Sequence, residues 1–291
     1  LLLQFLVNAI VAGSIFALVA LGFGLIYNCS RIFHFAHAGV YTASAYVLYF
    51  VVARLHWNLI AGLAAGVAFA AVLGIGLERY VYAPLRRQKA SPTVILVSSI
   101  GATTVIVNVV AAAFGNEGQT LFPGPGTSLQ LGTARLTQIQ VVQMAVSLTA
   151  CAVLVVVLKT TQFGRMVRAL ADDPPLLSAL GVDAQKMTTA VFAIGSAFAG
   201  VAACLVAVDM GMDPYGGLAM LLTGAVAVIL AGLRRIEGAV VGAFVLALVQ
   251  SLTVYQVSAR WEQSVTFVIL IVALLFRPTG LLKRVARVDA L

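Results

Sequence analysis

Along the chain, apolar positions gather into long unbroken runs rather than into alternating stripes. Stretches free of Asp, Glu, Lys and Arg cover residues 1–30, 32–53, 55–77, 90–116, 136–158, 187–208, 214–233, 238–259 and 263–276. About 20 apolar residues carry a helix across the hydrocarbon layer, and a helix satisfies its backbone groups within one segment. The pattern therefore predicts an all-α fold, a polytopic transmembrane helical bundle of nine spans, or eight if the short last run does not cross. Trp261 and Arg277 flank that last run as interfacial anchors. The first run lacks a basic n-region and a cleavage site and reads as a retained span. One transmembrane domain is expected over residues 1–291.

Composition sharpens this picture. Of 291 residues, 62% are hydrophobic and 10% charged, and the mean hydropathy is +1.05. A soluble domain is about 45 to 50% apolar and a quarter charged, so a soluble globular fold is excluded. The net charge of +8 is the loop bias that orients a membrane protein, not a nucleic-acid footprint. If all nine runs cross, one side collects Arg31, then Arg79, Arg86, Arg87 and Lys89, then Lys159, Arg165, Arg168 and Lys186, then Arg234 and Arg235. The tail adds Arg277, Lys283, Arg284 and Arg287. That is 15 of the 18 basic residues, with only Arg54, Arg135 and Arg260 opposite. Positive-inside counting then puts the N-terminus outside and the C-terminus in the cytoplasm. Cys29, Cys151 and Cys204 stand singly, without metal-ligand spacing.

Two loops are long enough to carry structure. The outer loop, 115–137, holds a Gly/Pro cluster, alternating Leu129 and Leu131, and a Gly132-Thr133 turn, which predicts a small hairpin. The inner loop, 159–187, contains Asp172 and Asp173, then Pro174 and Pro175, an apolar body of Leu176, Leu177 and Leu180, and Gly181. Acidic cap, proline in the first turn and glycine stop spell a short helix. With Arg165 and Arg168 ahead of it, that helix would lie on the inner surface. It either packs on its own bundle or docks a partner.

No run carries an ionisable residue in its middle, the usual mark of an ion-coupled pump. The sequence also has no GxxxxGK[ST] loop, so nucleotide phosphates would be held by another subunit. Three polar stripes recur at helical spacing: His34, His37, Tyr41 and Ser44; Ser98, Gly101, Thr104 and Asn108; and Gln140, Gln143 and Ser147. Each is either part of a solute path or glue between helices. His34 and His37 lie one turn apart but have no third ligand beside them, so no metal site is assigned. Asp209 and Asp213 read as a solvated turn.

Three stretches carry a family resemblance. One is Gly164-Arg165-Met166-Val167-Arg168-Ala169-Leu170-Ala171-Asp172-Asp173, continuing through Ala179-Leu180-Gly181-Val182 to Phe192-Ala193-Ile194-Gly195 and Ala199-Gly200. The second is Ala20-Leu21-Gly22, Tyr27, Phe35-Ala36-His37, Val40-Tyr41 and Tyr46, and the third is Phe276-Arg277-Pro278-Thr279-Gly280-Leu281-Leu282. Together they resemble the LIV-type permeases, of the H kind, of branched-chain amino acid ABC importers, over nearly the whole chain. The resemblance implies an inner-membrane, non-enzymatic permease subunit with no cofactor of its own. It works with a second, similar permease, two ATP-binding subunits that hold ATP and Mg, and an external substrate-binding protein. It also implies that 159–187 is the segment coupling to the ATPases, through Arg165, Arg168, Asp172, Asp173, Pro174, Leu176, Leu177, Leu180 and Gly181.

Two departures bear on this. The family writes Asn-Phe-Ala-His-Gly where this chain has His34-Phe35-Ala36-His37-Ala38, on one of the polar stripes. It writes Gly-Ser-Ile-Pro-Gly-Ala where this chain has Arg234-Arg235-Ile236-Glu237-Gly238-Ala239. The expected cargo is a branched-chain or related small amino acid or carboxylate, with urea or a short amide as an alternative. The other alternative is an ion-coupled secondary transporter working alone, with sodium held by unwound backbone carbonyls.

Overall fold

The computed structural model describes residues 2–122, 128–131, 134–232 and 237–276. Each charge-free run has become a helix: α1 (Leu2–Ser30), α2 (Ala36–Tyr49), α3 (Leu59–Leu77), α5 (Pro92–Phe114), α6 (Gln138–Thr160), α9 (Ala184–Met210), α10 (Gly216–Ala231), α11 (Gly238–Gln256) and α12 (Glu262–Phe276). Single π-helical turns extend α2 over Phe50–Arg54 and α3 over Glu78–Tyr82, the latter running into the short α4 (Ala83–Arg87). Between α6 and α9 lie α7 (Gln162–Asp172) and α8 (Pro174–Ala179).

Among the described residues, seven helices are long and apolar enough to cross a membrane, not nine; α10, with 16 residues, is apolar but shorter. α12, with 15 residues, is shorter again. Absence of charge marks apolar stretches correctly, but how many residues stay helical depends on glycines and turns at their ends. Gly232, with φ of +103°, closes α10, and a three-residue 3₁₀ turn, Ala259–Trp261, interrupts the passage from α11 to α12.

Helix starts follow local chemistry. Asn58, Ser91, Thr137, Thr161, Asp173 and Asp183 each cap a helix by accepting a backbone N–H with the side chain. Thr137 and Gln140 form a reciprocal capping box at the start of α6. Thr137 also ends a two-stranded antiparallel hairpin of β1 (Ser128–Leu131) and β2 (Ala134–Thr137), with Ser128 opposite Thr137 and Leu131 opposite Ala134. The outer-loop hairpin is thus present; its Gly132-Thr133 turn lies outside the described residues. Gln4 on α1 uses its amide as an extra rung, accepting from Arg135 N at 2.7 Å and donating to Arg135 O at 3.1 Å.

α1 is the central helix, with α6, α9, α10 and α11 packed around it. Without a hydrophobic drive between helices in lipid, close approach depends on small residues. Gly22 and Gly195 make that approach between α1 and α9: a Cβ on Gly195 would lie 2.7 Å from the Gly22 carbonyl oxygen. α3 and α5 are largely exposed within the protomer.

Candidate functional site

The inner segment is two helices rather than one. α7 buries Gly164, Val167 and Leu170 on one face and lies against α1, α6 and α9. The sequence grammar predicted α8 alone. α7 is an amphipathic helix of 11 residues whose apolar spacing of three was readable, though masked by its arginines. Its turn away from α6 needs Gly164, where any Cβ would collide with the Leu158 carbonyl.

Its ends are tied down by arginines. Arg31, in the left-handed region at φ of +57°, donates to the Ala171 carbonyl at 2.9 Å, at the end of α7. Arg168 donates to the Leu158 carbonyl near the end of α6. Guanidinium groups on terminal carbonyls complete unpaired acceptors and oppose the negative end of the helix dipole. Arg168 is therefore engaged within the chain, whereas Arg165 projects outward. Asp172 is an exposed residue at the end of α7.

α8 has the predicted form. Asp173 accepts from Leu176 N at 3.0 Å, Pro174 and Pro175 occupy the first turn, and Gly181, at φ of +86°, ends it. Leu177 is 3% exposed and anchors the helix, while Leu176 and Leu180 are 57% and 72% exposed. These two, one turn apart, form an apolar pair with no cover inside the protomer. Asp183 then caps α9, accepting from Gln185 N and Lys186 N. Those bonds, the Lys186 N–H foremost, hold its carboxyl below the usual carboxylate range.

Directly behind this segment sits a buried ion pair that the sequence reading passed over. Glu78 is fully buried and takes both arms of the Arg86 guanidinium. Gln185 donates to Glu78 Oε1 at 2.9 Å. The foot of α3 is thereby joined to the first turn of α9, one residue after its cap. A Glu–Arg pair eight apart becomes visible only when the intervening π turn sets their angle.

The three polar stripes fall in three different environments. His34, His37, Tyr41 and Ser44 are all buried in the protomer interior. His34 precedes α2 rather than standing on it, because α2 begins after a turn in which His37 N donates to His34 O at 3.2 Å. Its Nδ1 lies 2.9 Å from the Tyr82 hydroxyl, which lies 2.7 Å from Ser99 Oγ. The His34 and His37 rings meet edge to face, 5.7 Å apart. No group of three metal-ligating side chains occurs among the described residues.

Ser98, Thr104 and Asn108 instead lie toward the open flank of α5, each bonded to the carbonyl four residues back at 2.8, 3.1 and 2.8 Å. Gln140 and Gln143 line a cavity of about 580 Å³ at the hairpin end of the bundle, enclosed by α1, α6, α9, α10, α11 and α12. Asp209, expected in a solvated turn, is in the last turn of α9 and lines this cavity as well.

The substituted 234–239 stretch lies partly outside the described residues, as do the tail cations and the last family-like stretch beyond Phe276. Of that stretch, Glu237 is seen to pair with Lys159 at 3.0 Å, joining the inner ends of α6 and α11.

The sequence model described as the branched-chain amino acid transport system permease component matches residues 5–274. The high-affinity branched-chain amino acid transport system permease protein LivH of Salmonella typhimurium is 31% identical, with 97% of this chain and 96% of that protein aligned. LivH of Escherichia coli K12 gives the same values. BraD of Pseudomonas aeruginosa, of the same description, is 29% identical over the same shares. The fold is also that of a chain in the Streptococcus pneumoniae PsaBC complex with a Fab, at TM-score 0.52 and 15% identity, covering 95% of this chain and 93% of that one. With helices that lack buried charge along their middles, an inner surface that ends in an uncovered leucine pair, and this match along almost its full length, the chain is a multi-pass membrane protein of the branched-chain amino acid permease family.

Proposed function

We propose that this chain is one of two permease subunits of an ABC importer for branched-chain or related small amino acids and carboxylates, seated in the bacterial inner membrane. All nine long helices cross or enter the bilayer, with the N-terminus outside and the C-terminus in the cytoplasm, as the distribution of Lys and Arg requires. An external binding protein delivers the solute, two ATPases hold ATP and Mg, and this chain carries out no covalent chemistry.

One observation carries this reading: Leu176 and Leu180 stand uncovered on a helix that Leu177 and the Asp173 cap fix in place. A pair of exposed leucines beside exposed Arg165 suits the groove of a partner that moves. When ATP closes the ATPase pair, α8 is displaced as a rigid body. The motion passes through α7 to α1 and α6, and through Glu78–Arg86–Gln185 to the foot of α3.

The solute path runs along the open flank of α5, against the second permease. Asn108 donates one N–H to its own helix and leaves its amide oxygen on an exposed face. Such a group is costly against lipid tails and is satisfied by protein or water. Ser98 and Thr104 continue that face.

The test is co-expression with the two ATPases and the second permease. Leu176→Asp with Leu180→Asp abolishes ATPase co-purification and uptake while the permease still reaches the membrane. Survival of both complex and uptake overturns the docking assignment. Uptake by vesicles containing this chain alone, driven by an ion gradient, overturns the importer reading itself.

A further inference from the structure

The cavity at the hairpin end has a lining of one electrical character. Its two ionisable acids are Asp209 and Glu262, and neither forms a salt bridge among the described residues. No Lys, Arg or His lines it; Arg135 and Arg260, the cations of this end, stay outside. Five amide side chains complete the polar wall: Gln4, Asn8, Gln140, Gln143 and Gln250.

Two of those amides are part of the buried core. Gln143 is 3% and Gln250 4% exposed, and the Oε1 of each has no hydrogen-bond partner. The Gln250 amide nitrogen is already engaged by Thr266 Oγ1 at 2.6 Å, so its free capacity is that of an acceptor. A buried acceptor left unmet is destabilising by about the desolvation free energy of the group. The cavity thus combines unmet acceptors and unpaired carboxylates, and its volume of about 580 Å³ lies in the range of small-molecule sites.

We propose that this cavity is a binding site for a primary ammonium group, held by Asp209 and Glu262 with the amide oxygens of Gln143 and Gln250 as further acceptors. An ammonium carries three donors and one positive charge and has no acceptor, which complements the lining. Charge-assisted hydrogen bonds of this kind are about twice as strong as neutral ones. Anions are excluded by the same two carboxylates. Two molecules present that group at this face: a free amino acid and the headgroup of an aminophospholipid. The assignment stands on the cavity alone, and uses the proposed importer only to say that this end faces outward.

The experiment uses the full chain in phosphatidylcholine nanodiscs, with Trp57 replaced by Phe so that Trp261, next to Glu262, reports the cavity. Ethanolamine and leucine are titrated separately, with glycolate as the anionic counterpart. A saturable fluorescence change with ethanolamine, absent with glycolate and weakened about tenfold by Asp209→Asn with Glu262→Gln, is the expected result. Saturation by leucine as well identifies a free amino acid as the occupant. A spectrum already shifted in phosphatidylethanolamine nanodiscs, with ethanolamine no longer producing a change, identifies the lipid. Because the ligand comparison is made on the parent side chains, it does not depend on the double variant folding. No saturable response to ethanolamine in phosphatidylcholine, or equal responses to ethanolamine and glycolate, overturns the site. The importer reading is judged separately, by ATPase co-purification with the Leu176/Leu180 variant, so the two failures are told apart.

Discussion

His34 and Tyr82 are joined through His34 Nδ1 and the Tyr82 hydroxyl, 2.9 Å apart. The link continues to Ser99 Oγ at 2.7 Å, which accepts from Ala36 N at 3.0 Å. If Ser99 donates to Tyr82 and Tyr82 donates to Nδ1, every hydroxyl hydrogen in the chain is used and the imidazole carries its proton on Nε2. The relay binds the first turn of α2 to the foot of α3 and to α5. That gives the His34 departure from the family pattern a structural task.

Tyr82→Phe removes the hydroxyl and leaves Ser99 and His34 buried without their shared partner. We expect a loss of about 1 to 3 kcal/mol, seen as a lower melting temperature of the detergent-solubilised chain. Ser99→Ala combined with Tyr82→Phe adds little beyond the first change, because both act on one network.

Leu177 and its neighbours separate anchoring from docking. Leu177→Ala empties a buried site and destabilises the inner segment by about 2 to 5 kcal/mol, read as faster proteolysis between residues 159 and 187. Leu176→Ala and Leu180→Ala leave that protection unchanged, since both side chains project from the surface. They weaken association with the ATPases instead.

The Glu78–Arg86 pair predicts an asymmetric double-mutant cycle. Arg86→Met strands a fully buried carboxylate, destabilising by about 3 kcal/mol, the low end for such pairs because the guanidinium keeps some solvent contact. Glu78→Gln made in the same chain recovers most of that loss, and the melting temperatures of the four proteins measure it. A cycle with no coupling refutes the pair.

Gly164 is a position where no side chain fits, because the Leu158 carbonyl occupies the space. Gly164→Ala forces α7 from its seat on α1 and α6, at about 1 to 3 kcal/mol. The effect is on coupling: ATP hydrolysis by the assembled importer persists while uptake falls. Gly76→Ala and Gly101→Ala meet nothing within 4 Å and leave uptake unchanged.

What the sequence determined by itself was everything that depends on composition and near neighbours. Charge-free runs located the nine long helices, because a bilayer admits little else. Asp173, the two prolines and Gly181 spelled α8, because capping is local to a turn. Leu129, Leu131 and Thr137 marked the hairpin for the same reason.

Tertiary structure alone decided which side chains meet. One spacing rule proposed all three polar stripes, yet the His34 stripe is buried, the Ser98 stripe faces outward and the Gln140–Gln143 pair borders a cavity. A periodic pattern places residues on one side of a helix without saying what that side touches. The Glu78–Gln185 bond spans 107 positions, and Gln4 reaches the hairpin across 131. Such contacts exist because glycines let particular helices approach closely, a property of pairs of helices that no single segment carries.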